Sequence, residues 1–551
     1  MRKLFLAVLF LLYPLLSYSQ DIVLDEIVVS GNSKPLPTLQ KDIVERKDIF
    51  YRQYSSSDIV IEYHNVTLND SADNKVELSH YPKYLLRSID LLDRVSFGPT
   101  FSFYTPPIDK SLLLTVQVSS IEEYEIYTQF NTPYIQGFVF SSYSSGEFAF
   151  ENSKGEIQQR ENNSQNKLGA SVFGVYNVGN TQIDPFFFYS EFQRGVGGLS
   201  EFPLRYKDAK ELGKLLLSNV STLTVVNSSI LEGFLSYRHQ EYGYENPHSR
   251  LSKDSKVDTT DNSIELKFNY SYTIKDWSLG GSIKYQYNSY NKETRNLFTF
   301  SPKVSYTTTC ISTELEVPIL IWSEIYPQYS LLFQYSIGDF TVGLSHKRTV
   351  RLPTFHELYF RNELVHGDKN LQSQISYTFP IFLKYSNDFI ISSLSVEYSY
   401  MDNLIRFTQD TPYLFVAHNI PTVHVLSVTP NIEFDYSIFH LSFSYTYSYS
   451  KVKNLYQLPL LSEHELSLNT GINFQNYSLS IFYKYSSPKY LHFTNTTETL
   501  FDSDLGIRLS YKDTVIEAEL EFDNILNSRR ETSIQNPLPR FNTSFILKVL
   551  L

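Results

Sequence analysis

From Leu441 to Ser450 the chain alternates without interruption, with Leu441, Phe443, Tyr445, Tyr447 and Tyr449 on one face and Ser442, Ser444, Thr446, Ser448 and Ser450 on the other. Successive strand residues point to opposite faces, so this segment predicts a strand with one apolar aromatic face and one small polar face. A tilted strand needs about 9–11 residues to cross a bilayer, whereas strands of soluble proteins average about 5–6. The pattern recurs. Leu394, Val396, Tyr398 and Tyr400 alternate with Ser393, Ser395, Glu397 and Ser399, and Ile516, Ala518, Leu520 and Phe522 alternate with Glu517, Glu519 and Glu521. Carboxylates opposite an apolar face imply an inner surface in contact with water. The last residues, 541–551, alternate in the same way and read as a closing strand.

One large closed sheet accounts for a length that would otherwise suggest several soluble domains. The chain has Tyr 43 and Phe 40 against Cys 1, Met 2 and Trp 2, a mix that favours strands and leaves aromatics for the membrane interfaces. A formal net charge of -12 argues against a nucleic-acid partner. Cys310 has no second cysteine for a disulfide or a thiolate metal site, and reads as a wall residue. At the N-terminus Arg2 and Lys3 precede an apolar run from Leu4 to Leu16 and then Ser17 and Ser19. This is the pattern of a secretory signal peptide, residues 1–19, and its run is shorter than the roughly 20 apolar residues of a membrane helix.

Short turns are expected near Asn131, Gly179, Asn227, Lys275, Thr308, Gly338, Asn387, Tyr436, Gln475 and Lys512. Ten such turns, with both barrel termini at one end, require about 22 strands, the number of transporters with a plugged lumen. The polar stretches 151–166, 241–262 and 361–374 are expected to be loops at the opposite end. The expected fold is therefore all-β, a transmembrane antiparallel β-barrel over residues 111–551.

Four stretches carry a family resemblance. L-D-E-I-V-V-S, residues 24–30, resembles the TonB box of TonB-dependent outer-membrane receptors. V-T-L-N-D at 66–70, with Leu78, Tyr81-Pro82, Ile89-Asp90-Leu91 and Gly98-Pro99, is similar to the later half of that family's plug domain. R-L-P-T-F-H-E-L-Y at 351–359, followed by Gly367-Asp368 and Asn370-Leu371, resembles its most recognisable barrel motif, with Ser373-Gln374 where the family has Pro-Glu. F-D-N-I-L-N at 522–527, then Pro537-Leu538-Pro539, is similar to its C-terminal hairpin. The resemblance implies a box segment, residues 20–31, in which Asp25, Glu26, Ile27, Val28 and Val29 are gripped by TonB working with ExbB and ExbD. It also implies a short N-terminal plug over residues 32–110. The plug is reduced, since the family's Arg-Gly motif has no counterpart between Asn32 and Asp58 and its closing Gly-Gly is missing near 109–112. A single-chain receptor in the outer membrane of a Gram-negative cell, surrounded by outer-membrane lipid and inserted by the barrel-assembly machinery, completes what the resemblance implies.

The sequence holds no Gly-rich phosphate loop, paired-His zinc motif or nucleophile elbow, so no catalytic residues, resident metal or cofactor are expected. For a ligand, Tyr242 and Tyr244 in the segment 240–247 could form an aromatic platform, and His248, His356 and His366 in or beside outer loops could meet a metal chelate. Arg351 is expected to serve structure, capping a strand or pairing with a carboxylate. The function implied is energised import of a scarce large solute such as a ferric siderophore, cobalamin or another metal chelate. A passive porin with a vestigial plug and a structural or adhesive barrel are the alternatives.

Overall fold

The computed structural model describes residues 112–551 apart from 133, 153–154, 198–205, 250–254, 364, 412–413, 453–456, 460, 491–493, 497, 500 and 534–535, and before them only the backbone of four short strands. Those four, Ile43–Glu45, Thr67–Leu68, Leu86–Asp90 and Thr100–Phe103, pair into one small sheet. The signal pattern and the box-like segment lie outside the described residues.

From Leu112–Ser119 onward the chain crosses back and forth as 22 antiparallel strands. The last, Asn542–Leu550, pairs with the first, so the sheet closes and has no free edge. Leu112 N–H donates to the Leu551 carbonyl at 3.0 Å, placing both barrel ends together. Among the described residues no helix is long and apolar enough to cross a membrane.

All ten expected short turns form, and they lie at the end where the barrel termini meet. Their chemistry divides them into two kinds. Six are two-residue turns whose first residue is Gly179, Asn227, Lys275, Gly338, Ser437 or Gln475, each with φ between 51° and 60°. That left-handed conformation joins strands with the twist of the sheet, and the glycines adopt it without steric cost. The other four are three-residue turns in which Thr132, Thr308, Asn387 and Asp513 accept a hydrogen bond from the backbone N–H of the isoleucine three positions on, at 2.7–3.0 Å. Backbone donors from Ile516 and Val515 hold the Asp513 carboxyl below its ordinary range.

Each strand sorts its residues by face. In Lys256–Ile274, Thr259, Asp261, Ser263 and Glu265 are buried inside while Ile264, Leu266, Phe268, Tyr270 and Tyr272 are exposed outside. Next to the turns, outward aromatics pair between strands: Trp277 with Tyr306 at 4.8 Å, Phe340 with Tyr385 at 4.9 Å and Tyr477 with Tyr511 at 5.1 Å between ring centroids. An exposed apolar band bordered by such a girdle is the surface of a barrel set in lipid. On the inner wall Gly343 lies directly opposite Phe382 and Gly506 opposite Phe482. Each ring covers its glycine so closely that a Cβ there would overlap it, which fixes register locally.

Three expectations need correction. The inward acidic run is not simply wet, because Lys548 bridges Glu517 at 2.9 Å and Glu519 at 2.8 Å, and Arg508 reaches Glu521 at 2.6 Å. Cys310 is not a wall residue; it is exposed in the turn between Thr307 and Ile311. The polar stretch 241–262 is mostly strand, since Ser229–Glu245 and Lys256–Ile274 leave only 246–255 as connection. These strands run past the apolar band, where both faces meet polar surroundings and the alternation that marks a strand disappears. Likewise 151–166 contains the hairpin Ala149–Glu151 with Ile157–Gln159, and 361–374 gives Val365–His366 to a three-stranded sheet with Leu414–Ile420 and Leu404–Thr411.

Cys310, the chain's single thiol, reports which way the barrel is inserted. A membrane-impermeant maleimide is expected to label it weakly in intact cells and almost completely once the outer membrane is permeabilised. Strong labelling of intact cells would place the short turns outside.

Candidate functional site

At the long-loop end, the segment after the strand Phe340–Arg351 folds inward as a strap. Its foundation is an ion pair between Arg351 and Glu357 at 2.6 Å, with both side chains almost fully buried. The second Glu357 oxygen accepts from the Thr354 N–H at 2.8 Å and from its hydroxyl at 3.0 Å, while the Glu357 N–H donates to Thr354 Oγ1 at 3.1 Å. This reciprocal cap starts the short helix Phe355–Tyr359, and Pro353 just before it cannot extend a strand. The strap then turns back on itself: the Gly367 and Asp368 N–H groups donate to the carbonyls of Phe360 and Glu357 at 2.7 and 2.8 Å. A Cβ at Gly367 would strike the Glu357 carbonyl and Leu358 backbone, so only glycine permits this approach.

The strap packs on the inner faces of strands well away from its own. Arg295 lies between the rings of Trp322 and Phe355, 4.8 Å from each centroid, and donates to the Pro353 carbonyl at 2.8 Å. Phe355 stacks on Tyr290 at 6.2 Å, and Phe360 meets Tyr242 at 6.0 Å. Farther along, buried Glu363 accepts from the Tyr244 hydroxyl and from Asn246 Nδ2. The sequence from Arg351 to Glu363 therefore ties the Phe340–Arg351 strand to the Ser229–Glu245, Trp277–Tyr290 and Glu293–Thr307 strands.

Between strap and wall remains a cleft of about 30 Å³, room for a water-sized group, lined by Gln240, Tyr242, Thr259, Asp261, Tyr290, His356 and Phe360. Asp261 is 7% exposed, and its Oδ1 has no hydrogen-bond partner. The outward residues alongside it, Asp258, Thr260 and Asn262, are polar, so this part of the strand stands beyond the apolar band. Burial pushes the Asp261 carboxyl up to about 7, against the pull of Arg238 and His239. Its unpartnered oxygen can accept a hydrogen bond, or a proton, from whatever enters the cleft.

Of the residues singled out from sequence, Tyr242 and His356 meet in this cleft. Tyr242 is a strand residue rather than a loop residue, and its hydroxyl donates to Glu211 Oε1 at 2.7 Å. Tyr244 is also on the strand and is 2% exposed, so it anchors the strap and offers no platform. The polar neighbours Glu241, Glu245 and Asn246 concealed the strand. His356 stacks on Phe360 at 4.3 Å and sits edge-on to Phe407 at 5.6 Å. His248 pairs with Asp208 in the next connection, and His366 belongs to the three-stranded sheet, so the three histidines do not converge. Among the described residues no group of three or more His, Cys, Asp or Glu side chains is arranged to hold a metal.

Over residues 67–525 the sequence matches the family described as TonB dependent receptor-like, beta-barrel. The chain belongs to the TonB-dependent receptors. Among solved structures, the receptor is similar to the copper transporter OprC, with a TM-score of 0.74 at 8% identity over 92% of this chain and 99% of that one. It is also similar to the ferric enterobactin receptor PfeA of Pseudomonas aeruginosa, with a TM-score of 0.73 at 10% identity over 93% and 98%. The siderophore receptor PirA of Acinetobacter baumannii gives a TM-score of 0.73 at 9% identity over 93% and 98%. At such identities the likeness establishes the receptor's fold. No curated protein matches it in sequence. The family comprises receptors and transporters of the Gram-negative outer membrane rather than enzymes.

Sequence reading missed Gln240, Thr259, Asp261, Tyr290, Phe360 and Glu363 as parts of the receptor's mouth. The signal that could have found Thr259 and Asp261 is their phase, continuous with inward Ser263 and Glu265 on the same strand.

Proposed function

We propose that this receptor imports a scarce metal chelate, captured at the long-loop mouth and drawn through the barrel by TonB with ExbB and ExbD acting on residues 20–31. The observation that carries the reading is the family match over most of the chain. It is supported by fold neighbours whose names concern copper, ferric enterobactin and siderophores. The wall-anchored strap supports it too, by fixing an aromatic and polar lining in the mouth. Residues 32–110 act as a reduced plug, the barrel-assembly machinery inserts the chain, and a single copy suffices for transport.

The test uses cells that express the receptor and lack other chelate importers. Accumulation of ferric catecholate, ferric hydroxamate and cobalamin probes is followed with and without a protonophore. At least one probe is expected to accumulate in energised cells and to fall to background when the proton gradient collapses. Entry of the probes at equal rates in both conditions, together with large steady conductance steps of the purified protein in planar bilayers, would establish the passive porin instead.

A further inference from the structure

Buried carboxylates around the mouth are matched by donors. Arg351 pairs with Glu357 at 2.6 Å, the Tyr244 hydroxyl and Asn246 donate to Glu363, and Gln286 Nε2 donates to Glu265 at 2.7 Å. Asp261 departs from this pattern, since it lines the cleft between strap and wall with its Oδ1 unpartnered. The two basic side chains that act on it, Arg238 and His239, do not supply the missing bond. His239 is turned to the outer face, where it meets Asn262 at 2.8 Å and Glu241 at 3.5 Å. Arg238 sits on the inner face two residues nearer the turn end than Gln240, and it makes no ion pair with Asp261. A carboxylate taken out of water without a donor is costly, so a donor that enters the cleft gains the bond that the wall leaves unmade.

The rest of the lining defines that donor. Tyr242, Tyr290 and Phe360 bring three aromatic rings, and Gln240, directly opposite Asp261 in the strand pairing, adds an amide. Thr259 is engaged with the Tyr290 hydroxyl. His356 lies against the rings of Phe360 and Phe407, at 4.3 and 5.6 Å. One carboxylate among three rings suits an organic cation, which donates to the oxygen while its charge is attracted to the rings. A bare metal ion needs a fuller set of oxygen ligands, and among the described residues no group of three or more His, Cys, Asp or Glu side chains is arranged to hold one.

Size narrows the choice further. At about 30 Å³ the cleft admits a group as large as water, which an ammonium head matches and a quaternary ammonium exceeds. Tyr242 and His356 are half-buried while the other five lining residues are buried, so the cleft opens between these two and an alkyl tail leaves there.

We propose that this cleft is a binding site for a primary ammonium group, with Asp261 as its acceptor and Tyr242, Tyr290 and Phe360 around its charge. On the uptake reading above, on which this step rests, the receptor selects a chelate that presents an aliphatic amine, and the amine docks where strap meets wall.

The test titrates n-butylamine into the purified full-length receptor at pH 8 and follows binding by saturation-transfer NMR. No transport is involved, so a failed uptake experiment leaves the site standing, and a failure here leaves uptake standing. Saturable binding with a dissociation constant on the order of 1 mM is expected. Asp261→Asn keeps the shape and removes the charge, and should weaken binding by about tenfold or more. Glu265→Gln, which alters a carboxylate already matched by Gln286, should bind like the parent. Butan-1-ol, which lacks the charge, and butyltrimethylammonium, which is too wide, should not saturate the site. Heat-modifiable gel mobility checks that both variants are folded. The absence of saturable butylamine binding, an unchanged affinity of folded Asp261→Asn, equal binding of the alcohol or the quaternary amine, or displacement by equimolar potassium would each overturn the proposal.

Discussion

Glu357→Ala is expected to release the strap while leaving the barrel closed. The substitution removes the carboxylate that pairs with buried Arg351 and caps Thr354, so a charge 4% exposed is left without its partner inside the wall. Stranding one member of a buried ion pair costs about 3–5 kcal/mol, which shifts the opening equilibrium of the strap by roughly 100- to 4000-fold. Hydrogen exchange followed by mass spectrometry should show this in peptides covering 352–374, because the Gly367 and Asp368 N–H groups are tied to strap carbonyls. Uptake should fall with it, since the cleft at Asp261 loses its His356 and Phe360 wall. The double variant Arg351→Met, Glu357→Gln should cost less than the two single changes added together, because no unpaired charge remains. Exchange in 352–374 that is the same in Glu357→Ala and the parent would show that the ion pair does not hold the strap.

The barrel was legible because two independent signals agree along the chain. Apolar alternation marks the membrane-crossing part of strands such as Phe439–Val452, and residues such as Asn227, Gly338 and Asp513 mark turns through local backbone chemistry that needs no tertiary contact. Both signals act over a few residues. The mouth is different. Beyond the apolar band the strand Ser229–Glu245 has polar residues on both faces, so Tyr242 and Tyr244 read as loop. The contacts that define the cleft are also remote in sequence: Tyr244 and Glu363 are separated by 119 positions. Arg351 could be read as structural because its partner Glu357 is only six residues away. Asp261 could not be distinguished from other inward polar residues until the strap was seen to cover it.

The energised step itself is expected to depend on Val28. In the family this chain belongs to, transport is coupled to TonB, and the proposed point of coupling is residues 24–30, whose sequence resembles the family's TonB box. The physics of such a grip is strand addition, in which an extended segment joins the partner's sheet through main-chain hydrogen bonds. Ile27, Val28 and Val29 suit that role because β-branched side chains stiffen the extended backbone. A proline at Val28 removes one N–H donor and fixes φ. The lost bond and the acceptor left unsatisfied on the partner weaken pairing by roughly 2–4 kcal/mol, on the order of 100-fold. The substitution lies 84 positions before Leu112, the start of the barrel, so the receptor should still insert, keep its heat-modifiable mobility and bind ligand at the mouth. Accumulation of the same ligand should drop to background. A porin or an adhesin predicts no such separation, because neither depends on a pulled N-terminus. Undiminished accumulation in the Val28→Pro variant at normal surface expression would remove TonB coupling through this segment and leave a barrel whose transport is driven in some other way.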